Sequence, residues 1–551
     1  MASSKMIIYQ VFTRLYGNRN TTRKEDGTIE ENGCGKMNDF TPSTLKKIRE
    51  MGVSHIWYTG IIRHATQTDY SAYGIPMNHP AIVKGKAGSP YAITDYYDID
   101  PDLAVDVEKR MQEFEALIER THKAGMKVII DFVPNHVARQ YHSICKPEGI
   151  KDLGEDDNPQ NGFDPQNNFY YCPGQRFTPY FDLYRGESEP YIEEPAKATG
   201  NDCFHNAPGM NDWYETVKLN YGVDYYAGGV GHFNPIPDTW NKMTDILLFW
   251  AKKGVDGFRC DMAEMVPAAF WQWATDKVKF RYPEKIFIGE VYNPAEYRNY
   301  LAAGFDFLYD KVGMYDTIRE VIRGNQSTHA ITSAWQQTDD IRNHMLYFLE
   351  NHDEQRIASS FFAGDARKGI PGLIVSALLQ QNPLMIYFGQ EYGERGMDKE
   401  GFSGHDGRTT IFDYWSVDTI VRAFGRRLTK NEKALVTIYN KVMNIASMEK
   451  AVTDGVSFDL MYVNGQYHRQ YAFLRKVANE VLLVTVNFDD LPQTMNVTIP
   501  AHAFDYLNLK EKTVQSTDLL TGEKQQLSLQ RDAAVSLLLP PLGALILKFK
   551  S

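Results

Sequence analysis

The chain has 551 residues, more than one hydrophobic core serves, so one large domain with one or two smaller ones is expected. With 59 Lys and Arg against 70 Asp and Glu it carries a formal charge of −11 and no basic run, which argues against nucleic acid and for a neutral ligand. Five cysteines without C-x-x-C spacing point to neither a disulfide framework nor a zinc site, and no run of about 18 apolar residues marks a membrane span.

The N-terminus, MASSKMIIYQVF, lacks a charged leader followed by an apolar stretch. A cytoplasmic chain is therefore expected, or a periplasmic or secreted one if a signal peptide has been removed. From there, short β-branched or aromatic runs alternate with helix-length amphipathic segments, the pattern of parallel strands with crossover helices. Eight runs stand out: 6 to 12, 53 to 61, 127 to 136, 257 to 262, 285 to 292, 305 to 310, 345 to 354 and 383 to 391. Helices are predicted between them, for example over 107 to 125 and 239 to 254, each closed by a Gly at its C-terminal end. Eight strands with eight crossovers close into a (β/α)8 barrel.

From Val137 to about Pro235 the chain turns rich in Asn, Asp, Pro, Gly and Tyr, too long for an ordinary loop. This predicts an inserted domain after the third strand, over the mouth of the barrel. Past about residue 450, short alternating strands such as EVLLVTVNF and TMNVTIP predict an appended antiparallel β-sandwich. The expected organisation is thus a barrel over 1 to 136 and 236 to 450, an insertion over 137 to 235 and a terminal β-domain over 451 to 551.

Three carboxylates fall just past predicted strands: Asp261 after VDGFRC, Glu290 after IFIG and Asp353 after LYFLENH. Carboxylates at the ends of barrel strands converge at one mouth, and a converging set is what acid/base glycoside chemistry requires. Arg259 lies two residues before Asp261, on the same face of its strand. Aromatics make up 13% of the chain; most belong to the core, but Tyr and Trp faces also stack on sugar rings.

At these residues the chain closely resembles the α-amylase family of retaining glycosidases (glycoside hydrolase family 13). DFVPNH resembles the family segment at the end of strand three, GFRCD that of strand four, GEVY that of strand five and FLENHD that of strand seven, while IPD at 236 to 238 resembles a short segment of the insertion. The resemblance implies that Asp261 is the nucleophile, held ionised and oriented by Arg259, and that Glu290 is the acid/base catalyst. It implies that Asp353 grips ring hydroxyls of the distorted sugar, that His136 and His352 bind the same ring, and that Tyr91 stacks beneath it, with Asp95 a structural partner in the Tyr91 loop. A structural Ca²⁺ between barrel and insertion is implied through Asn135 and Asp238, with a backbone carbonyl at position 265. The chain departs from the family in one place: Glu264-Met265 stands where typical α-amylases have a Lys-His pair that also touches the sugar beyond the cleavage point.

The function expected from the resemblance is retaining hydrolysis of α-1,4-glucosidic bonds in starch or malto-oligosaccharides. A glucan transferase or oligo-α-glucosidase is the alternative within the family. A non-catalytic carbohydrate-binding relative, or a transporter subunit with this barrel, fits less well, because all three carboxylates are present and no membrane anchor is. No nucleic-acid or membrane partner is expected, and the sequence does not set the oligomeric state.

Overall fold

The computed structural model describes residues 5–397 and 405–551. Its centre is a closed barrel of eight parallel strands: β1 (Ile7–Phe12), β2 (His55–Thr59), β3 (Lys127–Phe132), β4 (Gly257–Cys260), β5 (Ile286–Gly289), β6 (Phe307–Tyr309), β7 (Met345–Phe348) and β8 (Leu384–Tyr387). Each pairs in parallel with the next, and β8 closes on β1 with Ile7 opposite Leu384. All eight predicted runs form these strands. They are buried almost throughout, as parallel strands covered on both faces must be, which is why they read as apolar runs and not as alternating ones.

Successive side chains in a strand point to opposite faces. Ile8, Trp57, Ile129, Ile288, Tyr309, Leu346, Phe348 and Met385 pack together as the filling of the barrel. Counting two residues on from that layer gives Gln10, Thr59, Asp131 and Glu290, and the same alternation places Arg259 and Asp261 on one face of β4. The apolar filling thus gives way, one residue pair higher, to polar and charged groups at the C-terminal mouth.

The predicted helices form at Arg110–Lys123, after a short 3-10 turn at Val107–Lys109, and at Asp238–Lys252. Gly125 and Gly254, at φ +78° and +100°, end them in backbone geometry that a side chain would strain. After β3 the insertion is held by short two-stranded ladders, among them His136–Ala138 against Thr216–Lys218. Beyond the barrel, six antiparallel strands form one sheet and Gln493–Ile499 pairs with Ala533–Leu539 as a second layer. No pattern in the sequence marks the ladder of Ile62–His64 against Ile93–Ile99 or the helix at Ala501–Leu507 inside the terminal β region. Among the described residues all five cysteines are free thiols, and no helix is long and apolar enough to cross a membrane.

Candidate active site

Arg259 is the hub of the mouth. Its side chain is fully buried, and its guanidinium lies 2.7 Å from Asp261 Oδ1, 2.8 Å from Glu290 Oε2 and 3.3 Å from Asp131 Oδ1. Its Nε donates to the Tyr309 hydroxyl at 3.2 Å, and the rings of Trp57, Tyr91 and Tyr309 surround it at 5.1 to 5.5 Å. A buried cation held this way has little rotational freedom, so it fixes both carboxylates at once.

Glu290 Oε1 accepts from the Tyr292 hydroxyl at 2.7 Å, and its Oε2 accepts from the Met262 backbone N–H at 2.8 Å. Met262 reaches that position with φ +44°, a left-handed conformation uncommon for a side chain of its size. The turn after Asp261 thus aims an N–H at the carboxylate on the neighbouring strand. Asp353 sits in a turn closed by the Asn351 side chain, whose Oδ1 accepts from the Asp353 and Glu354 N–H groups, both at 2.9 Å.

His352 links the third carboxylate to the aromatic platform. Gln10 Nε2 lies 2.9 Å from its Nδ1, while its Nε2 faces the Tyr91 hydroxyl at 2.5 Å and Asp353 Oδ2 at 3.1 Å. A Gln amide N–H donates, so Nδ1 accepts and Nε2 carries the proton. The Tyr91 and His352 rings stack at 5.2 Å. His136 is buried beside Trp213, with its Nδ1 3.2 Å from the Asn135 amide nitrogen. Asp95 accepts from Arg63, Ser143 and the N–H groups of Ile144 and Cys145, so it anchors the start of the insertion.

Burial sets the electrostatics. It pushes the Asp261 carboxyl well above its ordinary value against the pull of Arg259, with Glu290 and Asp353 adding to the rise. Burial, then Glu290, takes Asp353 up to about 7. Asp131 rises to about 6 for the same first reason. Burial also lowers both histidines, His136 to about 3, so both act as neutral rings. Arg259 is the counterweight at Asp261, favouring its ionised form against burial and the like charges.

The structure therefore brings Asp261, Glu290, Asp353, Arg259, His352 and Tyr91 into one hydrogen-bonded and stacked set, with His136 alongside. The two residues assigned to calcium are placed differently. Asn135 Oδ1 accepts from the Lys218 ammonium, whereas Asp238 pairs with Lys242 at 2.8 Å and accepts from Asn168 at 3.1 Å. Each thus has its own lysine partner, and the two do not share one contact set.

The sequence reading missed Asp131, Gln10, Trp57, Tyr309 and Tyr292. For Asp131 the signal was present: a carboxylate inside an apolar strand, on the inward face, is expensive unless it has partners, here Arg259 and the Trp57 indole at 2.9 Å. Tyr309 and Tyr292 gave none, since a tyrosine in a strand or just past its end is ordinary packing.

Residues 10–459 match the family sequence model described as the α-amylase catalytic domain. Alpha-amylase 3 of Dictyoglomus thermophilum is 24% identical over 466 residues, covering 78% of this chain and 81% of that one. A cyclomaltodextrin glucanotransferase of Geobacillus stearothermophilus is 22% identical over 505 residues, or 87% of this chain, which spans only 59% of that relative. Among solved structures, a maltogenic α-amylase of Thermotoga neapolitana, described as noncanonic, superposes with a TM-score of 0.65 at 20% identity, over 99% of both chains. At that identity the likeness is one of fold.

Proposed function

The chain belongs to the α-amylase family of glycoside hydrolases, and from that premise we propose that it cleaves α-1,4-glucosidic bonds of starch-type glucans or malto-oligosaccharides by double displacement. The observation that carries this reading is the shared fork: Asp261 and Glu290 lie on the two terminal nitrogens of one guanidinium, at 2.7 and 2.8 Å. Carboxylates gripped by one fork are close neighbours, which favours the retaining separation of about 5–5.5 Å over the wider inverting one of about 6.5–9.5 Å. Asp261 attacks the anomeric carbon while Glu290 protonates the leaving oxygen; Glu290 then takes a proton from the water that releases the sugar. Tyr292 and the Met262 N–H hold the acid in place, and Asp353 with His352 and His136 grips the hydroxyls of the ring as it flattens.

A transferase reading is favoured by one residue. Glu264 stands where the family's Lys-His pair begins, and its Oε2 is engaged by the Tyr292 and Asn293 N–H groups at 3.1 and 3.0 Å. A fixed carboxylate next to the acid/base segment can accept a hydrogen bond from an acceptor sugar's hydroxyl. A product profile on starch, pullulan and maltotriose separates the two. Net release of reducing ends from starch supports hydrolysis; products longer than the substrate from maltotriose establish transfer and displace the hydrolytic reading.

A further inference from the structure

Two of the three oxygens that the family resemblance assigns to calcium, Asn135 Oδ1 and the carbonyl at position 265, meet an ammonium group here. Lys218 Nζ donates to Asn135 Oδ1 and to the Met265 carbonyl at 3.3 Å, and pairs with Asp202 Oδ1 at 2.7 Å. The side chain is almost wholly buried. An ammonium has three N–H donors and no acceptor, and three oxygens of three kinds meet it: an amide, a carbonyl and a carboxylate. Calcium would need six to eight oxygens at about 2.3–2.6 Å around the same point. Asp238, the carboxylate that would contribute to such a cage, is instead paired with Lys242. The residues present fit an internal cation and do not fit the ion.

The location gives the group its work. Asn135 follows β3, Met265 is in the short 3-10 turn (Ala263–Met265) just past the proposed nucleophile, and Asp202 and Lys218 belong to the insertion. Lys218 also stands directly opposite His136 in the ladder that joins the insertion to the barrel. One buried charge thus ties three segments together, two of which carry proposed sugar-binding or catalytic residues.

We propose that Lys218 is the chain's own cation at the junction of barrel and insertion, occupying by covalent attachment the place a calcium ion would take and positioning His136 and the Asp261 turn. Because the cation is tethered, a chelator has nothing to remove. The test is thermal unfolding of the whole protein with and without EDTA or added Ca²⁺. The wild type should melt at the same temperature in all three conditions; a fall with EDTA that calcium restores would overturn the proposal.

Lys218→Met should lower the melting temperature by several degrees, because it leaves a buried amide oxygen and carbonyl without a donor. If that variant does not fold, Asp202→Asn, at the more exposed partner, should show a smaller fall. An unchanged melting temperature in either variant would count against the proposal. Lys218→Met should also lower kcat in the folded protein, since His136 and the Asp261 turn lose their shared tie, a loss that a merely structural ion pair would not produce; wild-type kcat would overturn the positioning role.

Discussion

The charge on Asp261 depends on its neighbours more than on its own chemistry. Burial disfavours its ionised form, Arg259 favours it, and Glu290 and Asp353 oppose it as like charges. Replacing Asp353 by Asn removes one of those opposing charges. The ionised form of Asp261 is then easier to reach, its pKa falls, and the acidic limb of the kcat/KM profile moves to lower pH. At the optimum, kcat should still fall by at least about 100-fold, because contacts that tighten in the transition state are lost, with a smaller change in ground-state affinity. A pH profile of Asp353→Asn checks both. An acidic limb displaced upward would mean that Asp353 does not bear on the nucleophile.

Arg259 is the residue for which the opposite sign holds. Among the described residues it is the only cation that the three buried carboxylates Asp261, Glu290 and Asp131 share, and its removal would leave like charges facing one another in a buried pocket.

Among the elements, the turn after β7 shows how a loop is made rigid enough for catalysis. Asn351 closes it by accepting two consecutive N–H groups, and Glu350 takes the next contacts, pairing with Arg356 at 2.9 Å and accepting from the Ile357 N–H at 2.7 Å. Asn351→Ala leaves both N–H groups short of a partner. We expect a cost of about 1–3 kcal/mol and a fall in kcat, since Asp353 loses its fixed direction. Denaturant unfolding and steady-state kinetics measure the two effects. Wild-type kcat in a destabilised variant would show that Asp353 is held by other means.

The strands of the barrel were legible because parallel strands covered on both faces are apolar over most of their length. The three carboxylates were legible because each breaks that rule just past a strand end. Gln10 was not, since one amide in an apolar run gives no sign of the histidine it meets more than three hundred residues later. The ladder from Ile62–His64 to Ile93–Ile99 was also hidden: its strands are only 3 and 7 residues long, and the register slips twice. Lys218 could not be read at all. Its three partners come from distant parts of the chain, and only the assembled fold brings them within reach.

At the scale of the whole molecule, the barrel and the terminal β-layer are joined by buried charges that spend their donors on backbone carbonyls. Arg475, in the terminal layer, donates to the carbonyls of Leu379, Ala451, Val452 and Gly455 at 2.6 to 3.0 Å, and so ties that layer to the end of the helix before β8 (Ile370–Leu378) and to the segment after the helix Lys430–Met448. Lys5, before β1, donates to the carbonyls of Ala377 and Gln380. The barrel that carries the mouth is thus tied to the segment before β1 and to the terminal layer, which adds to the rigidity that a covalent mechanism with sub-ångström demands needs. The most direct test of that mechanism is mass spectrometry of the intact Glu290→Gln variant mixed with α-maltosyl fluoride, a donor whose leaving group needs no proton. The account predicts a stable gain of one maltosyl unit, mapped by digestion to the peptide containing Asp261, and no gain when Asp261→Asn is added. A label on another residue, or near-normal turnover of maltotetraose by Asp261→Asn alone, would contradict it.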